Sequence, residues 1–188
     1  MKVFLNPGHD LNLDSGAVNM ETGLRECDVV ANIGRMVKCY LEAAGCEVRM
    51  LQSDNLNGEA PELPCVVFSA NNWPADIFVS LHCNSAASTA RGTETIIWAR
   101  NGGKAEFLAD CIQKQIVNSL NMIDRGVKDC SDIGRSLCVL RETNMPAALV
   151  EIGFINNSKD CSILTHKADD MARAIARGIT DYEQQALS

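Results

Sequence analysis

Short apolar runs alternate along this chain with longer segments whose apolar residues recur at helical spacing, and this alternation constrains the fold more than any other feature. The runs predicted as strands cover residues 2–6, 46–51, 76–81, 93–98, 137–140 and 147–152. The main segments predicted as helices cover residues 30–44, 65–72, 108–120 and 171–182. Strands separated by helices favour a largely parallel sheet. We therefore predict an α/β fold with a mostly parallel twisted sheet of about six strands and helices on both faces.

The length and charge of the chain limit its domain organisation and the classes of function it can have. We expect residues 1–188 to form a single domain, because this length suffices for one hydrophobic core. The net charge of −7 gives none of the basic footprint of a nucleic-acid-binding protein. No apolar run is long enough to span a membrane. We also expect the protein to be a monomer. The nine cysteines show no C-x-x-C spacing, which indicates free thiols in a reducing compartment.

Three strand-like runs end in side chains that can bind metal or transfer protons. These are His9 in 5-LNPGHD-10, His82 in 80-SLHCN-84 and Glu151 in 148-ALVEIGF-154. The third histidine of the chain, His166, precedes the last predicted helix and is interpreted as a surface or capping residue. In open α/β sheets, ligands bind beyond the carboxyl ends of the strands. The three strand ends therefore predict one shared site.

Two imidazoles at one site suggest a metal ion. A catalytic zinc usually takes three protein ligands and keeps one position open for water. His9 and His82 supply two ligands, and the third is expected to be a carboxylate. Glu26, which immediately precedes the first helix, is the best placed candidate, but the same loop offers three rivals, Asp10, Asp14 and Glu21.

Glu151 and Cys83 each allow two interpretations. Glu151 follows a run that should be buried, where an unpaired carboxylate is costly, so it either pairs with an arginine or acts as a general base with a shifted pKa. Cys83 adjoins His82, which suggests a cysteine nucleophile activated by a histidine. Adjacent residues on a strand point in opposite directions, however, and this argues against the cysteine mechanism.

The motifs and their order resemble those of the zinc-dependent N-acetylmuramoyl-L-alanine amidases of the amidase-3 type. The resemblance lies in 6-NPGH-9, in Glu26 within 24-LRECDVVANI-33, in 80-SLHCN-84 and in 150-VEIGF-154. The connecting pieces 91-RGTETIIW-98, 125-RGVK-128 and 139-VLRETNMPAALVE-151 also match. The chain is therefore identified as similar to the catalytic domain of this family over nearly its whole length.

This resemblance implies an α/β fold of the phosphorylase/hydrolase-like kind. It also implies that Zn²⁺ is bound by His9, Glu26 and His82, and that Glu151 is the catalytic acid–base. The implied reaction is hydrolysis of the amide bond between N-acetylmuramic acid and L-alanine in peptidoglycan, for lysis or remodelling of the cell wall. The alternative is a catalytically silent peptidoglycan-binding module of the same fold. Asn6 stands where the family usually has aspartate, which predicts that a carboxylate partner of His9 is missing.

The first residues, MKVFLNPGHD, lack the apolar core of a signal peptide. We therefore expect synthesis in the cytoplasm and action on the cell wall after release, as with phage lysins of this type. Secretion by another route is the second possibility.

Overall fold

The computed structural model describes residues 1–87 and 89–186 and gives six strands and six helices in that part of the chain. The strands are β1 Lys2–Pro7, β2 Glu47–Met50, β3 Ile77–Asn84, β4 Thr93–Ile97, β5 Asp124–Asp129 and β6 Ala147–Phe154. The helices are α1 Glu26–Ala43, α2 Val66–Asn72, α3 Lys104–Leu120, α4 Cys138–Arg141, α5 Ser158–His166 and α6 Ala168–Ala186.

The six strands form one sheet in the order β2-β1-β3-β6-β4-β5. Strands β2, β1, β3 and β6 run parallel, while β4 pairs antiparallel with β6 and parallel with β5. The carboxyl ends of β1, β3 and β6 therefore lie at the same edge of the sheet as the amino ends of β4 and β5. This edge, called the upper edge below, receives side chains from all five strands.

Alternation along the strands divides the core into two layers. On one face, residues such as Leu5, Leu81 and Val150 pack against helices α1, α3 and α6. On the other face, Phe4 and Phe78 stack with ring centroids 5.8 Å apart and pack with α2 and α4. The predicted α/β fold with a mostly parallel sheet covered on both faces is therefore confirmed.

Two sequence predictions about individual elements differ from the structure. The run predicted as a strand at residues 137–140 belongs to the short helix α4, which contributes Val139 and Leu140 to the core. The strand that the sequence did not predict is β5, whose sequence DRGVKD is too polar to resemble a strand. It can be polar because it lies at the edge of the sheet and is only partly buried.

All nine cysteines are free. Among the described residues, no helix combines the length and the apolar character needed to cross a membrane.

Candidate active site

His9, Glu26 and His82 converge at the upper edge of the sheet. His9 follows β1, His82 lies near the end of β3, and Glu26 is the first residue of α1. One potential ligand atom from each residue lies within 4.8 Å of the other two. His9 has a φ of 64°. This value lies in the left-handed region, which is energetically unfavourable for a residue that has a β-carbon. Strain at this position is consistent with a functional constraint on the direction of the imidazole.

Glu26 is the centre of this cluster. Its Oε1 lies 3.0 Å from His9 Nε2 and 3.1 Å from His82 Nδ1. The backbone N–H groups of Ala17 and Cys83 donate to its two oxygens, at 2.9 and 2.8 Å. The residue is only 3% exposed, so these bonds hold a buried carboxylate in one orientation.

The cluster shifts the pKa values of its own members. Burial by itself raises the pKa of Glu26, but hydrogen bonds from the two imidazoles outweigh burial and hold that pKa well below its ordinary value. Burial lowers the pKa of His9, but hydrogen bonds to Glu26 and Asp14 outweigh burial and raise the pKa to about 9. Without a metal, His9 is therefore an imidazolium at neutral pH, held between two carboxylates.

The three rival carboxylates do not join the cluster. Asp14 lies behind His9, with Oδ2 2.6 Å from Nδ1 of the imidazole. Asp10 accepts backbone hydrogen bonds within its own loop, and Glu21 lines a separate cavity of about 710 Å³ beside α5. Of the four candidates, only Glu26 stands between the two histidines.

The prediction that His9 lacks a carboxylate partner is wrong. Asn6 is 1% exposed, donates to the backbone oxygen of Leu51 and accepts from the hydroxyl of Ser80. Asp14 supplies the carboxylate instead. The sequence alone gives no signal for this role, because the contact depends on how the loop folds back between Asp10 and Asp14.

Two glycines allow the imidazoles to approach this closely. A β-carbon on Gly8 would lie 2.2 Å from Cε1 of His82. A β-carbon on Gly16, whose φ is +62°, would lie 2.5 Å from Cδ2 of His9 and 2.6 Å from Oε2 of Glu26. The backbone around the cluster therefore leaves no space for any other residue type at these positions without displacing a candidate ligand.

Glu151 stands beside the cluster on the neighbouring strand. It pairs in register with His82 on β3 and with Glu94 on β4, and strand alternation points all three side chains to the same face. Its Oε2 is buried without a hydrogen-bond partner. Burial raises the pKa of Glu151 to about 7, even though His82 and Arg135 pull that pKa down. No ion pair to an arginine is formed by Glu151 among the described residues, so the salt-bridge interpretation fails.

The cysteine mechanism has no support in the geometry. Cys83 is 4% exposed and packs in the core on the face opposite His82. Burial raises the pKa of its thiol well above the ordinary value, which keeps the thiol protonated. His166 ends α5, is exposed, and has its Nδ1 within hydrogen-bond distance of Ser162 and Thr165, as expected of a surface histidine.

The donor set fits a zinc ion. Two imidazoles and one carboxylate form a common zinc donor set that leaves a further position for water. The orphaned oxygen of Glu151, close by and on the same sheet face as His82, is suited to exchange a proton with a molecule at that position. The arrangement can therefore support hydrolysis of a polarised carbonyl compound.

Comparisons with known proteins agree with this geometry. The family described as N-acetylmuramoyl-L-alanine amidase matches residues 3–181. The chain is 31% identical to the sporulation-specific N-acetylmuramoyl-L-alanine amidase of Bacillus subtilis strain 168, covering 100% of this chain and 69% of that protein. It is also 31% identical to the endolysin of Bacillus phage SPP1, covering 95% of this chain and 65% of that protein.

Among solved structures, the N-acetylmuramoyl-L-alanine amidase AmiC2 of Nostoc punctiforme superposes with a TM-score of 0.83 at 30% identity. The match covers 98% of this chain and 97% of that chain. Sequence and fold thus agree over almost the entire length. This chain belongs to the N-acetylmuramoyl-L-alanine amidase family.

Proposed function

We propose that this chain hydrolyses the amide bond between N-acetylmuramic acid and L-alanine in peptidoglycan and depends on zinc for that reaction. The observation that carries the proposal is the convergence of His9, Glu26 and His82 beside the buried, unpartnered Oε2 of Glu151. Membership of the amidase family supplies the bond that is cut. The names of similar proteins, which include a sporulation amidase and a phage endolysin, support action on the cell wall.

In this proposal the metal is held by His9, Glu26 and His82. When bound, Zn²⁺ acidifies the attacking water and polarises the scissile carbonyl. Asp14 holds His9 through Nδ1, and the backbone N–H groups of Ala17 and Cys83 hold Glu26, so two of the three ligands are oriented by their neighbours.

Glu151 is the proton carrier. Its carboxylate takes the proton of the attacking water, and the resulting carboxylic acid then donates that proton to the departing amide nitrogen. An amine leaves poorly unless it is protonated, so one residue serves both steps. A pKa of about 7 suits this exchange, because neither the charged nor the neutral form is strongly favoured at neutral pH.

The ligand assignment is tested by metal analysis of two histidine variants. His82→Ala removes one proposed ligand, and His166→Ala removes a histidine that lies outside the cluster. We expect His82→Ala to lose stoichiometric zinc and amidase activity, while His166→Ala keeps both. Full zinc occupancy in His82→Ala would remove that residue from the ligand set.

We further propose that residues 1–188 act as one catalytic domain and as a monomer on the cell wall. Release of new amino groups from purified peptidoglycan, with zinc supplied, separates this enzyme from a silent wall-binding module. Binding without release would favour the silent module. Sedimentation analysis of the active sample tests the monomer.

A further inference from the structure

Two cations share one buried carboxylate next to the proposed catalytic residue. Arg125 Nε and Lys128 Nζ each lie 2.7 Å from Oε2 of Glu94. The other oxygen of Glu94 accepts a hydrogen bond from Asn84 Nδ2 at 3.0 Å. Glu94 is therefore fully engaged, and its side chain is only 6% exposed. Two positive charges against one negative charge leave this cluster, Glu94–Arg125–Lys128, with a net charge of +1.

The cations are held in place but still have hydrogen-bond donors to offer. The Arg125 guanidinium also stacks on the ring of Phe154, with Cζ 4.9 Å from the ring centroid. Its side chain remains 34% exposed, and that of Lys128 27%. Within the described part of the chain, the terminal nitrogens of Arg125 and the other protons of Lys128 have no assigned acceptor. Oriented, half-exposed donors of this kind suit a carboxylate ligand.

The cluster lies directly beside the proposed chemistry. Glu94 on β4 pairs in register with Glu151 on β6, and Glu151 pairs with His82 on β3. A row of side chains thus crosses four neighbouring strands on one sheet face, from the metal cluster through Glu151 and Glu94 to the cations of β5. A substrate whose amide bond lies at one end of this row can extend toward Arg125 and Lys128 at the other.

We propose that Arg125 and Lys128 form a subsite for a free carboxylate of the stem peptide. The proposal rests on the proposed amidase function, which places a stem peptide in the site. Peptidoglycan stems carry an acidic second residue, which occurs either as the free acid or as the neutral amide. The chain has a net charge of −7, so a locally positive subsite offsets a repulsion that an anionic stem would otherwise meet. The subsite therefore selects the free-acid stem over the amidated stem.

The test measures binding in a background that cannot turn over. Zinc-loaded Glu151→Gln is titrated by calorimetry with two muramoyl dipeptides, one with a free acid and one with an amide at the second residue. We expect the free acid to bind at least about tenfold more tightly, as a charge-assisted contact requires. Lys128→Met, which keeps the apolar stem, is expected to reduce this preference to less than about threefold, and Lys128→Arg to restore it.

Lys114→Met is the matched control, because it removes the same charge from an exposed position on α3. It is expected to retain the preference. Equal binding of the two dipeptides, no binding of either, or an unchanged preference in Lys128→Met would overturn the subsite. Failure of the wild type to cut either dipeptide refutes the amidase function instead, and the binding preference is read independently of that result.

Discussion

Replacing Glu151 with glutamine is expected to stabilise the metal-free protein while abolishing catalysis. The carboxyl group of this partly buried side chain has a pKa of about 7, against an ordinary value of 4.5. Folding therefore favours its protonated form, and the charged form is a cost. A difference of about 2.5 pKa units corresponds to about 3 kcal/mol when the group is fully ionised. The cost is absent below about pH 4.5 and complete above about pH 7, so stability is lost as the pH rises through that window.

Urea unfolding of chelator-treated protein measures this effect. We expect Glu151→Gln to unfold with a free energy about 3 kcal/mol above that of the wild type at pH 8.5, with most of the gain disappearing toward pH 5. Glu47→Gln, at an exposed position of the edge strand β2, is the control for the substitution itself. A Glu151→Gln protein that is less stable than the wild type at pH 8.5 would refute the claim that burial of its carboxyl group raises the pKa of Glu151.

The same variant separates catalysis from metal binding. Glutamine cannot accept and return a proton, so the loss of turnover is expected to be at least about 100-fold. Zinc content should stay at one ion per chain, because the proposed ligands are unchanged. Normal turnover in this variant would show that another group carries the proton.

Three further predictions concern the metal cluster. Asp14→Asn is expected to weaken zinc binding about 10-fold to 100-fold, because it removes the carboxylate that orients His9, and competition with a chromophoric chelator measures the change. Gly8→Ala is expected to reduce zinc occupancy and leave the fold intact, since the new β-carbon collides with the imidazole of His82; full occupancy would contradict the close packing. Zinc binding at pH 7 is expected to release about one proton, because His9 has a pKa of about 9 in the metal-free protein, and affinity should rise about tenfold per pH unit up to that value. Calorimetry in buffers of different ionisation enthalpy counts the proton, and a count of zero would show that His9 is neutral before the metal binds.

The alternation of strand-like and helix-like segments was sufficient to predict the sheet, but not its edge strand β5. Central strands such as β3 and β6 are buried on both faces and read as apolar runs, whereas β5 is an exposed edge with a polar sequence. The run at residues 137–140 has the apolar content of a strand but forms a helix that covers the sheet. Apolar content alone does not distinguish a short strand from a short buried helix.

The candidate site was more predictable than its surroundings. His9, His82 and Glu151 were visible because strand ends meet at one edge of a parallel sheet. Glu26 was the best placed of four carboxylates by its position before the first helix, but only the family resemblance singled it out from its rivals. The partnership of Asp14 with His9 depends on how a loop folds back, and the cluster around Glu94 depends on strand pairing between β4 and β5. Neither contact has a local sequence signal.

Mass analysis of digested peptidoglycan shows which bond the protein cuts and whether zinc and Glu151 are needed. Purified peptidoglycan is incubated with the zinc-loaded protein, with chelator-treated protein and with Glu151→Gln. We expect only the first sample to release stem peptides with a free amino group on L-alanine and to leave glycan strands with intact N-acetylmuramic acid. Cleavage at any other bond, or cleavage at this bond that survives both the chelator and the loss of Glu151, would contradict the proposed function.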